Sequence, residues 1–258
     1  MELKRGNRGD INGQTTVFII LAIVIVAIIA IYFVFRSNLS GEKVEPEVEP
    51  IYSFIENCIK ETGENAVYNI GQSGGYYIVS EDFVRPNFSD YAIPYYAEKG
   101  INYMPSKQEV EQEISRYIDE LLYSCILNFI DFSDFEIKQE LINVTTKIQE
   151  GKVVINADYP LTIKKGDKTY LIQKFENIEI PVRLNTIYNV AEQITLEEIQ
   201  HPKDICFSCI SDFASKNEVY INIMDYDDEI IIFTIIDSNS KIKGEDYEFV
   251  FANKYEAS

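Results

Sequence analysis

The sequence predicts an α+β fold: one amino-terminal transmembrane helix followed by an ectodomain of helices packed on antiparallel sheet. Three observations lead there. Val17 to Phe35 reads VFIILAIVIVAIIAIYFVF, with no charge, glycine or proline. Over about residues 51–70 and 106–129 apolar residues recur mostly every three or four positions, as helices buried along one side require. From about residue 142 the period falls to two, with turn residues between the runs, which marks antiparallel hairpins. Blocks of helix followed by blocks of strand indicate α+β and not alternating βα units.

Residues 1–16 form a basic tail. As a helix, the run 17–35 reaches roughly 28 Å, close to the thickness of bilayer hydrocarbon. A helix satisfies its own backbone polar groups, which lipid demands. Tyr32 near its outer end suits the membrane interface. Lys4, Arg5, Arg8 and Arg36 outweigh Glu2 and Asp10 around the run, yet the whole chain holds 23 basic and 42 acidic residues and a formal charge of −19. The acidity therefore lies beyond residue 36. Positive charge stays cytoplasmic, so the amino terminus is expected inside and the carboxy-terminal domain extracellular. The run is too long for an ordinary cleaved signal, and no small-x-small site follows it, so it reads as an uncleaved anchor. Such acidity repels nucleic acid. The expected partners are the lipid bilayer and an envelope protein or glycan, with no cofactor and no metal.

Residues 36–50 (Arg36, then SNLSGEKVEPEVEP) read as an extended linker. A helix is expected over 51–70, weakened by Gly63 and ended by Gly71. Tyr76–Val79 reads as a short strand. Residues 80–105 read as irregular, with Pro86, Pro94 and Pro105. The tyrosine-rich segment 76–103 is either a contact surface, because exposed tyrosines give large amphipathic contacts, or a set of rings packed on the domain. Ser106 and Glu109 form a capping box for a second helix to about Phe129. Residues 51–135 thus make a helical and Tyr-rich subdomain. Residues 136–258 make an antiparallel β-rich α+β subdomain. Its hairpins pair 142–148 with 153–159, and 161–164 with 170–175, with 178–184 extending them. Helices follow over 186–200 and 204–214, then strands over 219–224, 229–236 and 247–252.

Four cysteines, Cys58, Cys125, Cys206 and Cys209, all follow the span. Two disulfides in an exported domain allow three pairings. Cys58 and Cys125 each lie on the apolar stripe of a predicted helix, so their sulfurs meet if those helices pack antiparallel; otherwise they are buried thiols. Cys206-Phe207-Ser208-Cys209 is a CxxC. It reads first as a closed disulfide, and alternatively as a redox dithiol or, with His201, as part of a metal site. Asn38, Asn87 and Asn143 head glycosylation sequons. Gly71-Gln72-Ser73-Gly74-Gly75 matches G-x-S-x-G, but a nucleophile elbow needs strand, turn, then helix, and the order here is helix, loop, strand. Asp225, Asp227 and Asp228 read as an acidic turn, because an EF-hand loop needs a glycine and a glutamate that are absent.

The junction Asn12-Gly13-Gln14-Thr15-Thr16 resembles archaeal prepilin-type (class III) signals, which implies cleavage between Gly13 and Gln14 with the apolar helix retained. Pilin-like helices carry a glutamate near the fifth mature position, where this chain has Phe18. Over GQTTVFIILAIVIV, CIKETGENAVYNIGQSGGYY, YPLTIKKGDKTY and FVFANKY the chain also resembles a family of single-pass membrane proteins of small-genome archaea. That resemblance implies an archaeal envelope protein and carries over no activity. The function expected is a non-enzymatic binding or scaffold domain. The alternatives are a pilin-like filament subunit and a redox or hydrolytic envelope enzyme.

Overall fold

The apolar stripe that predicts the first helix is the surface on which the fold is assembled. The computed structural model describes residues 21, 23–28, 44–79, 83–87, 89–202 and 205–255. In it α1 spans Glu49–Gln72 and buries Ile51, Ile55, Ile59, Val67 and Ile70. Gly63 and Gly71 lie inside the helix instead of weakening or ending it. A Cβ at Gly63 would stand 2.4 Å from Ile155 Cδ1, and one at Gly71 2.5 Å from the Glu248 carbonyl oxygen. The two glycines let α1 press directly onto strands.

Tyr76–Val79 is not a strand but a bend, and there the Tyr77 amide donates to Glu113 Oε2 at 2.8 Å. The segment expected to be irregular holds β1 (Phe83–Val84), β2 (Ile93–Glu98) and β3 (Ile101–Asn102). The helix α2, Lys107–Ile126, opens on the expected capping box, with Ser106 and Glu109 bonded reciprocally. A 3-10 turn, Leu127–Phe132, follows it.

Next come β4 (Glu136–Gln139), β5 (Asn143–Gln149), β6 (Lys152–Lys165) and β7 (Lys168–Ile180). β6 carries β5 and then β4 on one edge and β7 on the other, all antiparallel. The two expected strand pieces on either side of Pro160 are one long strand. Pro160 falls where the β6–β7 register shifts, between Asp158 and Leu161, so its missing N–H costs no ladder bond. Then follow α3 (Leu184–Gln200), α4 (Phe207–Asn217), β8 (Tyr220–Asp225), β9 (Ile230–Ile242) and β10 (Glu245–Lys254). The second sheet runs β1-β2-β10-β9-β8, with β3 on β2. β2 lies parallel to β10. The sheet is therefore mixed, which corrects the all-antiparallel expectation.

Residues Val44–Ser258 form one compact unit. Helix α1 packs on α2, β7 and β10, and α2 packs on β5. Ile55, Ile118, Ile180 and Phe249 belong to one core. Beside that core, Asp237 is fully buried and binds the Arg183 guanidinium through both carboxylate oxygens. Ser240 and the Asn239 amide also donate to it. This network fills an irregularity in the β9–β10 ladder between Asp246 and Tyr247, and β9 continues past Ile236, where the expected strand ends. Burial opposes ionisation of Asp237, and the bonds from Arg183, Ser240 and Asn239 outweigh it, holding its pKa below the usual range.

Residues Met1–Lys43 are a separate unit. Its described residues, 21 and 23–28, are helical. The rest of the expected span, residues 36–43 of the linker, Gly13, Gln14 and Asn38 lie outside the described residues. Among the described residues no helix is long and apolar enough to cross a membrane.

Candidate functional site

Most of the tyrosine-rich segment is spent on packing. Tyr96 is fully buried, stacks on Phe251 at 4.6 Å between centroids, and donates its hydroxyl to Gly74 O at 2.7 Å. Burial pushes its phenol well up. Tyr77 meets Tyr117 edge-on, and Tyr91 donates to Asn69. Tyr103 remains exposed. Tyr76, Tyr77, Tyr91 and Tyr95 are half-buried, so Tyr96 alone of these rings is wholly committed to the core.

Ser73 of the G-x-S-x-G match is buried and caps the carboxy-terminal end of α1. A nucleophile elbow places its serine at a helix amino terminus, so this serine has the opposite polarity. Asp227 accepts the amides of Glu229 and Ile230 and closes the β8–β9 turn. Asn87 and Asn143 are both exposed.

The cysteines divide into two pairs. Cys58 on α1 and Cys125 on α2 are joined, with Cα atoms 5.7 Å apart and a sequence separation of 67. Cys58 is buried. Cys206 and Cys209 are joined across a separation of 3, with Cα atoms 5.3 Å apart, and both are partly exposed.

The surroundings of the second pair are built by two helix ends. Helix α3 finishes with Glu197 and Glu198 in its last turn and His201 as its C-cap. Helix α4 begins with Cys206 as its N-cap, whose sulfur accepts the Cys209 amide at 3.3 Å. The helices pack together. Cys209 Sγ consequently lies 3.4 Å from Glu197 Oε1. One donor atom each from Glu197, Cys206 and Cys209 falls within 4.8 Å of the others. His201 Nε2 reaches Glu197 at 3.5 Å on its exposed side. With the sulfurs bonded to each other they are not available as metal ligands.

Glu198 lies beneath, only 3 % exposed. Its Oε2 accepts from the Tyr255 hydroxyl at 2.5 Å. Its Oε1 has no hydrogen-bond partner among the described residues. Burial raises its pKa, Glu197 adds to the rise, and the Tyr255 hydroxyl and the Cys206 amide oppose it. The sequence pointed to Cys206 and Cys209 through their spacing. It did not point to Glu197, Glu198 or Tyr255, which come from elements distant in sequence or at a helix end.

Fold and site together define an α+β domain with one internal disulfide and one surface disulfide set against carboxylates. No protein-family model, curated protein or solved structure matches the chain.

Proposed function

We propose that this chain is a single-pass protein of the cell envelope. Residues 17–35 anchor it, its amino terminus is cytoplasmic, and residues 44–255 work outside the membrane as a binding or scaffold domain. The observation that carries this reading is the character of the described part of the run. Leu21, Ile23, Val24, Ile25, Val26 and Ile28 are helical and between 47 % and 64 % exposed. Apolar side chains all round a helix call for an apolar surrounding, and a bilayer supplies it. The Cys58–Cys125 bond supports the same placement, because disulfides persist in oxidising compartments. The resemblance to membrane proteins of small-genome archaea fits as well.

Protease and a membrane-impermeant thiol reagent added to whole cells test the placement. The reading expects residues 44–255 to be digested and, without reductant, no cysteine to be labelled in the intact chain. Protection from protease in intact cells, with digestion only after lysis, would contradict it. Intact mass of the membrane-extracted chain separates anchor from filament subunit: loss of residues 1–13 favours the prepilin reading, and a full-length mass the anchor.

A further inference from the structure

We propose that Cys206 and Cys209 form a thiol–disulfide exchange site for cysteine-bearing polypeptides, with Cys206 as the sulfur that meets the partner and Glu197 as the proton partner of Cys209. The inference does not depend on the membrane placement.

Four observations support it. The bond is at the surface, where a partner thiolate can reach it, whereas the other disulfide has Cys58 buried and Cys125 half-buried against the core. The two cysteines are not equivalent. Cys206 Sγ caps α4 and accepts the Cys209 amide, so a thiolate on Cys206, when the partner leaves it or before it attacks, is held by a backbone donor at a helix amino terminus. Cys209 Sγ instead faces Glu197 Oε1 at 3.4 Å, which disfavours a thiolate and suits a thiol that donates to the carboxylate. Beneath them, Glu198 Oε1 is buried with no hydrogen-bond partner among the described residues, while Oε2 is held by Tyr255. Finally, Phe207, between the two cysteines, is 63 % exposed. It offers an apolar contact to a polypeptide laid across the site, so the substrate class is an accessible peptide segment and not a small thiol alone.

The exchange balances as follows. A partner thiolate attacks Cys206 Sγ and the Cys206–Cys209 bond breaks. Its electron pair leaves on Cys209 Sγ, which takes up a proton relayed through Glu197. A second partner thiolate attacks the partner sulfur of the mixed disulfide and expels Cys206 as a thiolate, which water protonates. The partner loses two electrons and two protons and becomes a disulfide, and Cys206 and Cys209 gain them. The dithiol returns to the disulfide by the reverse route against another disulfide compound. In that direction Cys209 loses its proton to Glu197 as it attacks the mixed disulfide at Cys206.

The test uses the full chain in detergent and a fluorescent peptide homodisulfide as probe. Cys209→Ser leaves Cys206 free and is expected to capture the probe as a stable mixed disulfide. Cys206→Ser leaves Cys209 free and is expected to react at least about tenfold more slowly, in line with its carboxylate neighbour. Cys209→Ala, with far-UV circular dichroism on every variant, guards against a loss that merely reports misfolding. Equal rates from the two single-cysteine variants would overturn the assignment of Cys206, and no capture by either folded Cys209 variant would overturn the site.

For Glu197→Gln, closure of the mixed disulfide at pH 7 should slow on the order of tenfold or more, as loss of a general base predicts. The rate should recover above about pH 8.5, where a thiol ionises unaided. Glu198 lies beneath the pair, His201 contacts Glu197 and Tyr255 contacts Glu198, so the same pH profile is recorded for Glu198→Gln, where no recovery of this kind is expected. Faster closure in Glu197→Gln would show the carboxylate acting only by repulsion and would overturn its role as proton partner.

Discussion

The two disulfides make an instructive pair because they share a bond and little else. Cys58–Cys125 joins two helices across a sequence separation of 67, with Cys58 buried in the core and Cys125 half-buried against it. Cys206–Cys209 spans 3 residues at the surface, between helix ends. On the chain-entropy account, closing the long loop removes about 4 kcal/mol of unfolded-state freedom and closing the short one about 2 kcal/mol. The long bond is thus placed where it stabilises most and can be reached least. The short one sits where it stabilises less and can be reached readily. Loop length and burial, read together, separate a staple from a reactive pair better than the presence of a disulfide does.

Removing Cys58 and Cys125 together by Cys→Ala changes should have the largest effect: about 4 kcal/mol, or a melting temperature lower by about 10 °C. A shift no larger than that of the Cys206/Cys209 double change would break the comparison. Asp237→Ala comes next. It leaves Arg183 without its buried partner, a loss of about 3 kcal/mol by chemical denaturation. The sign with pH follows from the depressed Asp237 pKa. Its contribution is present above the unfolded value near 3.9 and is lost as pH falls through the lower folded value. Asp237→Asn should therefore flatten the acid limb of the stability curve.

Gly71→Ala should cost about 2 kcal/mol, because its methyl meets the Glu248 backbone oxygen. Gly63→Ala should cost less, since the Ile155 Cδ1 it meets can swing aside. Near the short disulfide the effect is smallest. Glu198→Gln should match the wild type in stability at acid pH. It should exceed it increasingly as pH rises from about 4.3 through the raised Glu198 pKa, where burial penalises the charge.

The parts of this molecule legible in sequence are those where local chemistry and tertiary demand agree. The stripe of α1 and the capping box at Ser106 and Glu109 are of this kind. So are the alternation in β5 and the apposition of Cys58 with Cys125. What was hidden has physical causes. Strand β2 (IPYYAE) is buried on both faces and so shows no alternation, and Pro94 disguises it further. Its parallel partner β10 lies more than 140 residues away, and no local pattern encodes that pairing. The expected strand stops at Ile236 because the polar run Asp237 to Ser240 follows it and the Arg183 that satisfies that run is remote. Gly63 and Gly71 read as helix breakers because the strands pressed against them are not visible locally. At the site, CxxC spacing reveals the sulfurs, but only the packing of α3 on α4 brings Glu197 to Cys209.

The most direct measurement is a stepwise reduction of the folded full chain in glutathione buffers, with alkylation and intact mass counting the opened cysteines. The account predicts that two alkyl groups appear first, located by peptide mapping at Cys206 and Cys209, while Cys58–Cys125 stays closed until a buffer at least about tenfold more reducing is reached. All four cysteines opening together, or Cys58 and Cys125 opening first, would contradict it.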